Sequence, residues 1–366
     1  MATSAPDAHV ARRLFLGASL SLAGLFVGLA SLPTAANAPE RDRSLAIAAP
    51  QREPLAARVS SVGFTVSDME RALAFYCGVL EMRLVDDREV AGDAAERLEG
   101  VFGARKRVCT LTLGDERVTL TQYLAPEGRP IPADSRSNDG WFQHIAIVVR
   151  DMDRAYERLR TFHVRHASAG PQTIPASNPA AGGIRAFYFK DPDGHVLEIL
   201  AFPADKGDPR WHRGDESDAL FLGIDHTAIA VRDTDASLRF YRDLLGLHVA
   251  GESRNMGVEQ ARLNNVEGAS LRITTLRPAG DARSAGPGIE LLEYLEPGPG
   301  RPYPGDSLAN DVWHWTVTIE TPGVVEAVGA LGDGVRLASR GVASDGALVR
   351  DPDGHAVLLV PSASAP

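Results

Sequence analysis

Cysteine is nearly absent: Cys77 and Cys109 are the only two in 366 residues. Two thiols cannot build a disulfide framework, and both read as small buried apolar side chains. A basic surplus is missing as well, with 38 Lys and Arg against 48 Asp and Glu and a net charge of −10. A nucleic-acid binder needs a cationic stripe to displace counterions from phosphate, and this chain offers none. The sequence also lacks a P-loop, a G-x-G-x-x-G turn, a G-x-S-x-G elbow and a C-x-x-C pair. Nucleotide binding, serine hydrolysis and thioredoxin-like redox chemistry are therefore unsupported. Beyond Leu32 no apolar run is long enough to suggest a membrane span.

The amino terminus reads as an address. Arg12-Arg13-Leu14-Phe15-Leu16 leads into a moderately apolar run to Leu32, then Pro33 and the small-x-small site Ala36-Asn37-Ala38. These are the parts of a twin-arginine export signal, so residues 1–38 are expected to be removed and the mature protein to be periplasmic or extracellular. The rival reading is an uncleaved anchor, which the Gly, Ala and Ser content and the Ala-Asn-Ala site disfavour. Residues 39–57, rich in Ala, Pro and Arg, read as a flexible leader.

The rest of the chain is duplicated, the signal to seek before any fold assignment. Phe75-Tyr76 with Val79-Leu80 returns as Phe240-Tyr241 with Leu244-Leu245, and Leu98-x-x-Val101-x-Gly103-Ala104 as Leu263-x-x-Val266-x-Gly268-Ala269. Asn138-Asp139-x-Trp141 returns as Asn310-Asp311-x-Trp313, and the turn Asp191-Pro192-Asp193-Gly194-His195 as Asp351-Pro352-Asp353-Gly354-His355. Length alone leads one to expect two domains. The repeat sets them at 58–203 and 219–362, with 204–218 as a polar, turn-rich linker.

Each copy contains a smaller unit twice. Alternating strands at Val62–Val66, His144–Val149, His226–Val231 and His314–Ile319 each run into a helix. Asp68, Asp151 and Asp233 cap three of these helices, and Thr321-Pro322 opens the fourth. Roughly three strands come after each helix. The fold class expected is α+β, with four βαβββ modules paired into two domains around curved mixed sheets.

This organisation, with the FYxxxLG-like helix end, the Gly288–Pro297 strand and the DPDGH turn, resembles the vicinal-oxygen-chelate (glyoxalase, bleomycin-resistance and dioxygenase) superfamily. The resemblance implies clefts formed by paired modules and metal ligands drawn from the first and last strand of each module. Carried over, the second copy offers His226, Glu290 and His314, with Leu358 in the fourth place. The first copy offers His144 and Glu198, with Ser61 and Thr119 where ligands are expected. Strand parity puts His226, Ala228 and Ala230 on one face, so each histidine opens the smaller, concave side.

Two imidazoles and a carboxylate suit one divalent ion such as Zn²⁺, Ni²⁺, Mn²⁺ or Fe²⁺. Parity makes His195 a turn or surface residue. Two pairings compete. The linking Asn-Asp-x-Trp segments favour modules one with two and three with four. If instead modules two and three share a cleft, His144, Glu198, His226 and Glu290 form a complete set.

The implied function is a metal-dependent enzyme acting on a small oxygenated molecule, of lyase, isomerase or ring-cleaving dioxygenase type. The alternative is a metal-free binding protein of bleomycin-resistance type, with Trp141, Trp313, Trp315, Phe142 and Tyr303 as cleft walls. The partners expected are a small-molecule substrate or ligand, with a homodimer left open and no nucleic acid.

Overall fold

Three aspartates start three helices, as short acceptors at an N-cap do. The Asp68 carboxylate accepts from the Arg71 amide, that of Asp151 from Asp153 and Arg154, and that of Asp233 from Asp235 and Ala236. The fourth helix is capped at Gly323, with no side-chain bond. These observations come from a computed structural model that describes residues 54–213, 218–280, 286–332 and 335–362. The expected export signal, and all of the expected leader before residue 54, lie outside the described residues. Among the described residues no helix is long and apolar enough to cross a membrane.

Module one comprises β1 (Arg58–Val66), α1 (Met69–Gly78), β2 (Arg83–Ala91), α2 (Asp93–Glu99), β3 (Arg105–Leu113) and β4 (Glu116–Ala125). Module two comprises β5 (Gln143–Val149), α3 (Met152–Thr161), the short β6 (Arg165–His166) and β7 (Gln172–Thr173), β8 (Arg185–Lys190) and β9 (Val196–Ala201). Module three comprises β10 (Phe221–Val231), α4 (Thr234–Leu238), which continues as a wider turn to Leu244, β11 (His248–Asn255), α5 (Val258–Asn264), β12 (Ser270–Arg277) and β13 (Gly288–Glu296). Module four comprises β14 (Trp315–Thr321), α6 (Val324–Leu331), β15 (Arg336–Leu337), β16 (Ala347–Arg350) and β17 (Ala356–Pro361). The fold is α+β, built from tandem βαβββ units.

The pairing of modules is not the sequential one favoured by the sequence. One sheet runs β15-β16-β17-β14-β1-β4-β3-β2 and joins modules four and one; the other runs β11-β12-β13-β10-β5-β9-β8-β6 and joins three and two. Sequential neighbours share a hydrophobic core instead. Val62, Phe64, Tyr76 and Leu120 of module one pack with Ile145, Ile147, Met152 and Phe187 of module two. The helix-facing side chains of modules three and four form the matching cluster. Duplication thus defines who shares a core, and the partner swap defines who shares a cleft.

The two connectors are tied to each other. Arg129, on the first, makes a two-pronged bond to Asp311 on the second (2.9 and 2.7 Å), and Arg301 does the same to Asp139 (3.1 and 2.7 Å). Each guanidinium lies over a tryptophan, Arg129 over Trp313 and Arg301 over Trp141, at 4.8 and 4.6 Å from the ring centroids. Bidentate pairing with stacking suits arginine alone, so these tryptophans serve a clamp between connectors.

The expected linker is also more than a tether. Arg210 and Glu116 pair at 2.7 Å with side chains 5% and 2% exposed, and the same carboxylate accepts from the Ile224 amide. Removing one partner leaves the other charge buried and alone. Glu116→Ala is therefore expected to cost about 3 kcal/mol, read as a lower urea midpoint at unchanged slope. A loss below about 1 kcal/mol is what an exposed pair gives and contradicts this reading.

The DPDGH turns are internal. Asp191 Oδ1 accepts from the amides of Asp193, Gly194 and His195, and its Oδ2 meets His195 Nδ1 at 2.8 Å. His195 also donates from Nε2 to the Val312 carbonyl at 2.7 Å and is buried, so it is a turn residue but not a surface one. Gly194 and Gly354 sit at φ +106°, which excludes a side chain there. Cys77 and Cys109 are free thiols, Cys109 buried and Cys77 half-buried.

Candidate metal centre

Strand register brings the site together. Antiparallel β10 and β5 set Ala228 opposite His144 and His226 opposite Ala146. The parallel outer neighbours set Glu290 beside Ala228 and Glu198 beside Ala146. Directly paired residues project from the same face, so two imidazoles, two carboxylates and two alanines share one patch. The alanines matter because a larger side chain at either place would fill the gap between the histidines.

His144 Nε2 lies 3.1 Å from Glu198 Oε2, and His226 Nε2 lies 3.6 Å from that same oxygen and 3.3 Å from Glu290 Oε2. One ligand atom from each of His144, Glu198 and His226 falls within 4.8 Å of the others. All three residues are buried, whereas the Glu290 side chain keeps 20% of its exposure.

An outer shell orients these groups. His226 Nδ1 bonds to Asp225 Oδ2 at 3.0 Å, which leaves Nε2 turned to the glutamates. Asp225 Oδ1 in turn accepts from Arg277 Nη2 at 3.1 Å and from Trp211 Nε1 at 3.3 Å. Glu290 Oε1 accepts from Thr275 Oγ1 at 2.8 Å. His144 packs against Phe142 and Tyr188, at ring-centroid distances of 5.5 and 4.9 Å.

The charges explain how the groups titrate. Burial works against a charged His226, but the carboxylates of Glu290, Asp225 and Glu198 outweigh it and raise its pKa to about 9. For Asp225, burial opposes ionisation too. The bond to His226 and the charge of Arg277 prevail and hold the carboxyl well below the usual range.

The donor set fits a divalent cation. Two carboxylates aim oxygens at one imidazole nitrogen, which carries at most a single proton to share between them. A cation at their common point neutralises both. Mixed nitrogen and oxygen donors suit a borderline ion.

The sequence-derived ligand set needs one correction. His226 and Glu290 are brought together, and His144 and Glu198 join them; His314 does not. It precedes β14, in the other sheet, where Thr316 pairs with Gly63 as His144 pairs with Ala228. Thr316 therefore holds the place of His144, and His314 stands two residues earlier, bonded through Nε2 to Thr316 Oγ1 at 3.0 Å. The candidate metal centre is the buried trio His144, Glu198 and His226 of the swapped pairing, with Glu290 beside His226.

Asp225, Arg277 and Trp211 escaped sequence reasoning. Simple alternation puts Asp225 on the face opposite His226, but β10 has a bulge between Ile224 and His226 that re-aims it. The adjacent Asp-His pair was the only available signal.

Above the ligands lies an inner cavity of about 120 Å³, bordered by Tyr188, Glu198, His226, Asn255, Gln260 and Glu290. Glu290 and Asp225 also border an outer cavity of about 410 Å³. The loop between β7 and β8 covers one side, held by Asn178 Nδ2 donating to Asn255 Oδ1 at 2.8 Å. Gln260 Oε1 is buried without a partner.

The sequence model of the Glyoxalase/Bleomycin resistance protein/Dioxygenase superfamily matches residues 58–199 and 223–359. The chain belongs to that superfamily. Among curated relatives, a 2-epi-5-epi-valiolone epimerase from an Actinomyces species is 34% identical over 156 residues, covering 41% of this chain and 82% of that protein. The lactoylglutathione lyase GLX1 of Arabidopsis thaliana is 23% identical over 192 residues, covering 52% of this chain and 56% of that protein. Among solved structures, glyoxalase I from Zea mays superposes with a TM-score of 0.55 at 18% identity, over 83% of this chain and 92% of that one. At this identity the last likeness concerns the fold alone.

Proposed function

We infer that the protein is a divalent-metal-dependent isomerase or lyase that moves a proton on a small oxygenated substrate in the cleft of modules two and three. The observation that carries this is the convergence of His144, Glu198, His226 and Glu290 beneath a small, partly apolar cavity. Two of the relatives carry the names of an epimerase and a lyase, which supports the same class. The second carboxylate weighs against a ring-cleaving dioxygenase, whose usual set is two histidines and one carboxylate.

These four residues would hold the metal, which when bound supplies Lewis-acid stabilisation of an oxyanion. The protein does the rest. Asp225 fixes the tautomer and angle of His226. Glu198, seated between both histidines, is held in place. Glu290 is less enclosed, borders both cavities and is positioned to take and return a proton. Leu263, Leu292 and Ile273 keep the inner cavity apolar, while the free Gln260 oxygen accepts a hydrogen bond from a substrate hydroxyl.

Proton NMR in D2O tests this with small α-hydroxy ketones and aldehydes. Metal-loaded protein should exchange the C–H beside the carbonyl, and His226→Ala should not. No exchange above that of the variant with any of them contradicts the reading. Gln260→Leu, which removes the acceptor, is expected to raise KM about tenfold with kcat nearly kept. An unchanged KM removes Gln260 from the recognition set.

In the same reading residues 1–38 direct the enzyme out of the cytoplasm. Arg12→Lys combined with Arg13→Lys should leave uncleaved precursor in the cytoplasm, seen by fractionation and amino-terminal sequencing.

A further inference from the structure

The first sheet carries a cleft of its own. A cavity of about 430 Å³ opens on the face of β1, β4 and β14. Pairing places Ser61, Thr119, Thr316 and Leu358 where the other sheet has His226, Glu290, His144 and Glu198. Hydroxyls and a leucine do not replace imidazoles and carboxylates as ligands for a borderline ion. The space is nonetheless larger than the inner cavity above the metal centre.

Its lining has a distinct chemistry. Hydroxyl side chains of Ser61, Thr119, Thr121, Thr316 and Thr318 form the floor, and Val90, Leu98, Val108, Leu348 and Leu358 supply apolar wall. Every charged residue of the lining already has an opposite charge against it: Arg88 has Asp86, Glu99 has Lys106, and Asp345 has Arg97 at 3.2 Å. His314 also lines the cavity. It is 4% exposed, and its Nδ1 is buried with no hydrogen-bond partner. Burial first and the Arg350 charge second push its pKa well down, so the ring is neutral.

A charged ligand seated against Glu99 and Lys106 would have to break that largely buried pair or go unpaired, which is costly, whereas the Arg88 and Asp345 pairs are solvent-exposed and weigh little. A purely apolar ligand would leave the hydroxyls of the floor without partners. A molecule with many hydroxyls on a compact carbon frame satisfies both surfaces, and the cavity is of ordinary ligand size.

We propose that this cleft binds an uncharged polyhydroxylated small molecule, a monosaccharide or cyclic polyol, without a metal. The proposal does not depend on the chemistry assigned to the other cleft. It tests directly by calorimetry and ligand-detected NMR on the full protein. The probes are D-glucose, D-galactose and myo-inositol, with glucose 6-phosphate as the charged comparator.

At least one neutral probe should bind at one per chain, and glucose 6-phosphate about tenfold more weakly. Thr119→Val with Thr316→Val, near-isosteric changes that remove two hydroxyls, should weaken binding about tenfold or more, and His226→Ala should leave it within about twofold. Leu358→Trp, which fills the cleft from an apolar position, should give the same loss and covers the case of a misfolded threonine variant. The proposal is overturned if no neutral probe binds, if the cleft variants bind as wild type, or if His226→Ala alone abolishes binding.

Discussion

In protein carrying His226→Ala, bound divalent metal falls from about one per chain to below about 0.1 after reconstitution and desalting, while His314→Ala retains it. Among the described residues, His226 is the side chain whose nitrogen faces both glutamates, at 3.6 and 3.3 Å. Its loss removes a ligand and leaves the buried Glu198 and the partly exposed Glu290 without the imidazole that both face. Affinity should drop by more than the ten- to hundredfold typical of an outer-shell change. Catalysis should fall about a thousandfold, equivalent to about 4 kcal/mol of lost oxyanion stabilisation. Elemental analysis with circular dichroism separates this from unfolding. Metal retained in a folded His226→Ala protein, or lost in His314→Ala, sinks the four-residue centre.

The second large effect is expected one shell out. Asp225→Asn keeps size and shape but replaces the carboxylate that holds His226 Nδ1, at 3.0 Å, with an amide. The imidazole loses basicity and its fixed tautomer, and Arg277 loses its counter-charge. Metal affinity should weaken ten- to hundredfold, with most of kcat restored at saturating metal. A chelator competition titration reads the affinity, and activity against added metal reads the rescue. An unchanged affinity would show that Asp225 merely fills space.

The contrast between His226 and His314 shows where sequence reading works. Both histidines precede alternating β-branched runs, so both look like the first residue of a cleft-facing face. For His226 that placement is right. For His314, counting from Asn310-Asp311-x-Trp313 against Asn138-Asp139-x-Trp141 puts it opposite Phe142 rather than His144. The offset of two preserves parity, so alternation could not reveal the slip. Only pairing to β1 does.

Asp225 illustrates the converse, because alternation alone places it on the face opposite His226 and the bulge between Ile224 and His226 alters that. His195 looked peripheral in a turn motif, yet Asp191 and the Val312 carbonyl draw it into the interior.

The chain by itself determined the four βαβββ units, their capped helices, the small-residue face of each first strand and the membership of the superfamily. These come from local rules: hydrophobic period, cap chemistry and turn residues act within a few positions of one another. Which units would share a sheet was a different question, answered by the pairing of β1 with β14 and of β5 with β10, beside which Arg129 with Asp311 and Arg301 with Asp139 tie the connectors across more than a hundred and sixty positions. No local pattern encodes such a choice, since both pairings bury the same faces. Tertiary contact decided it, and with it which four ligands meet.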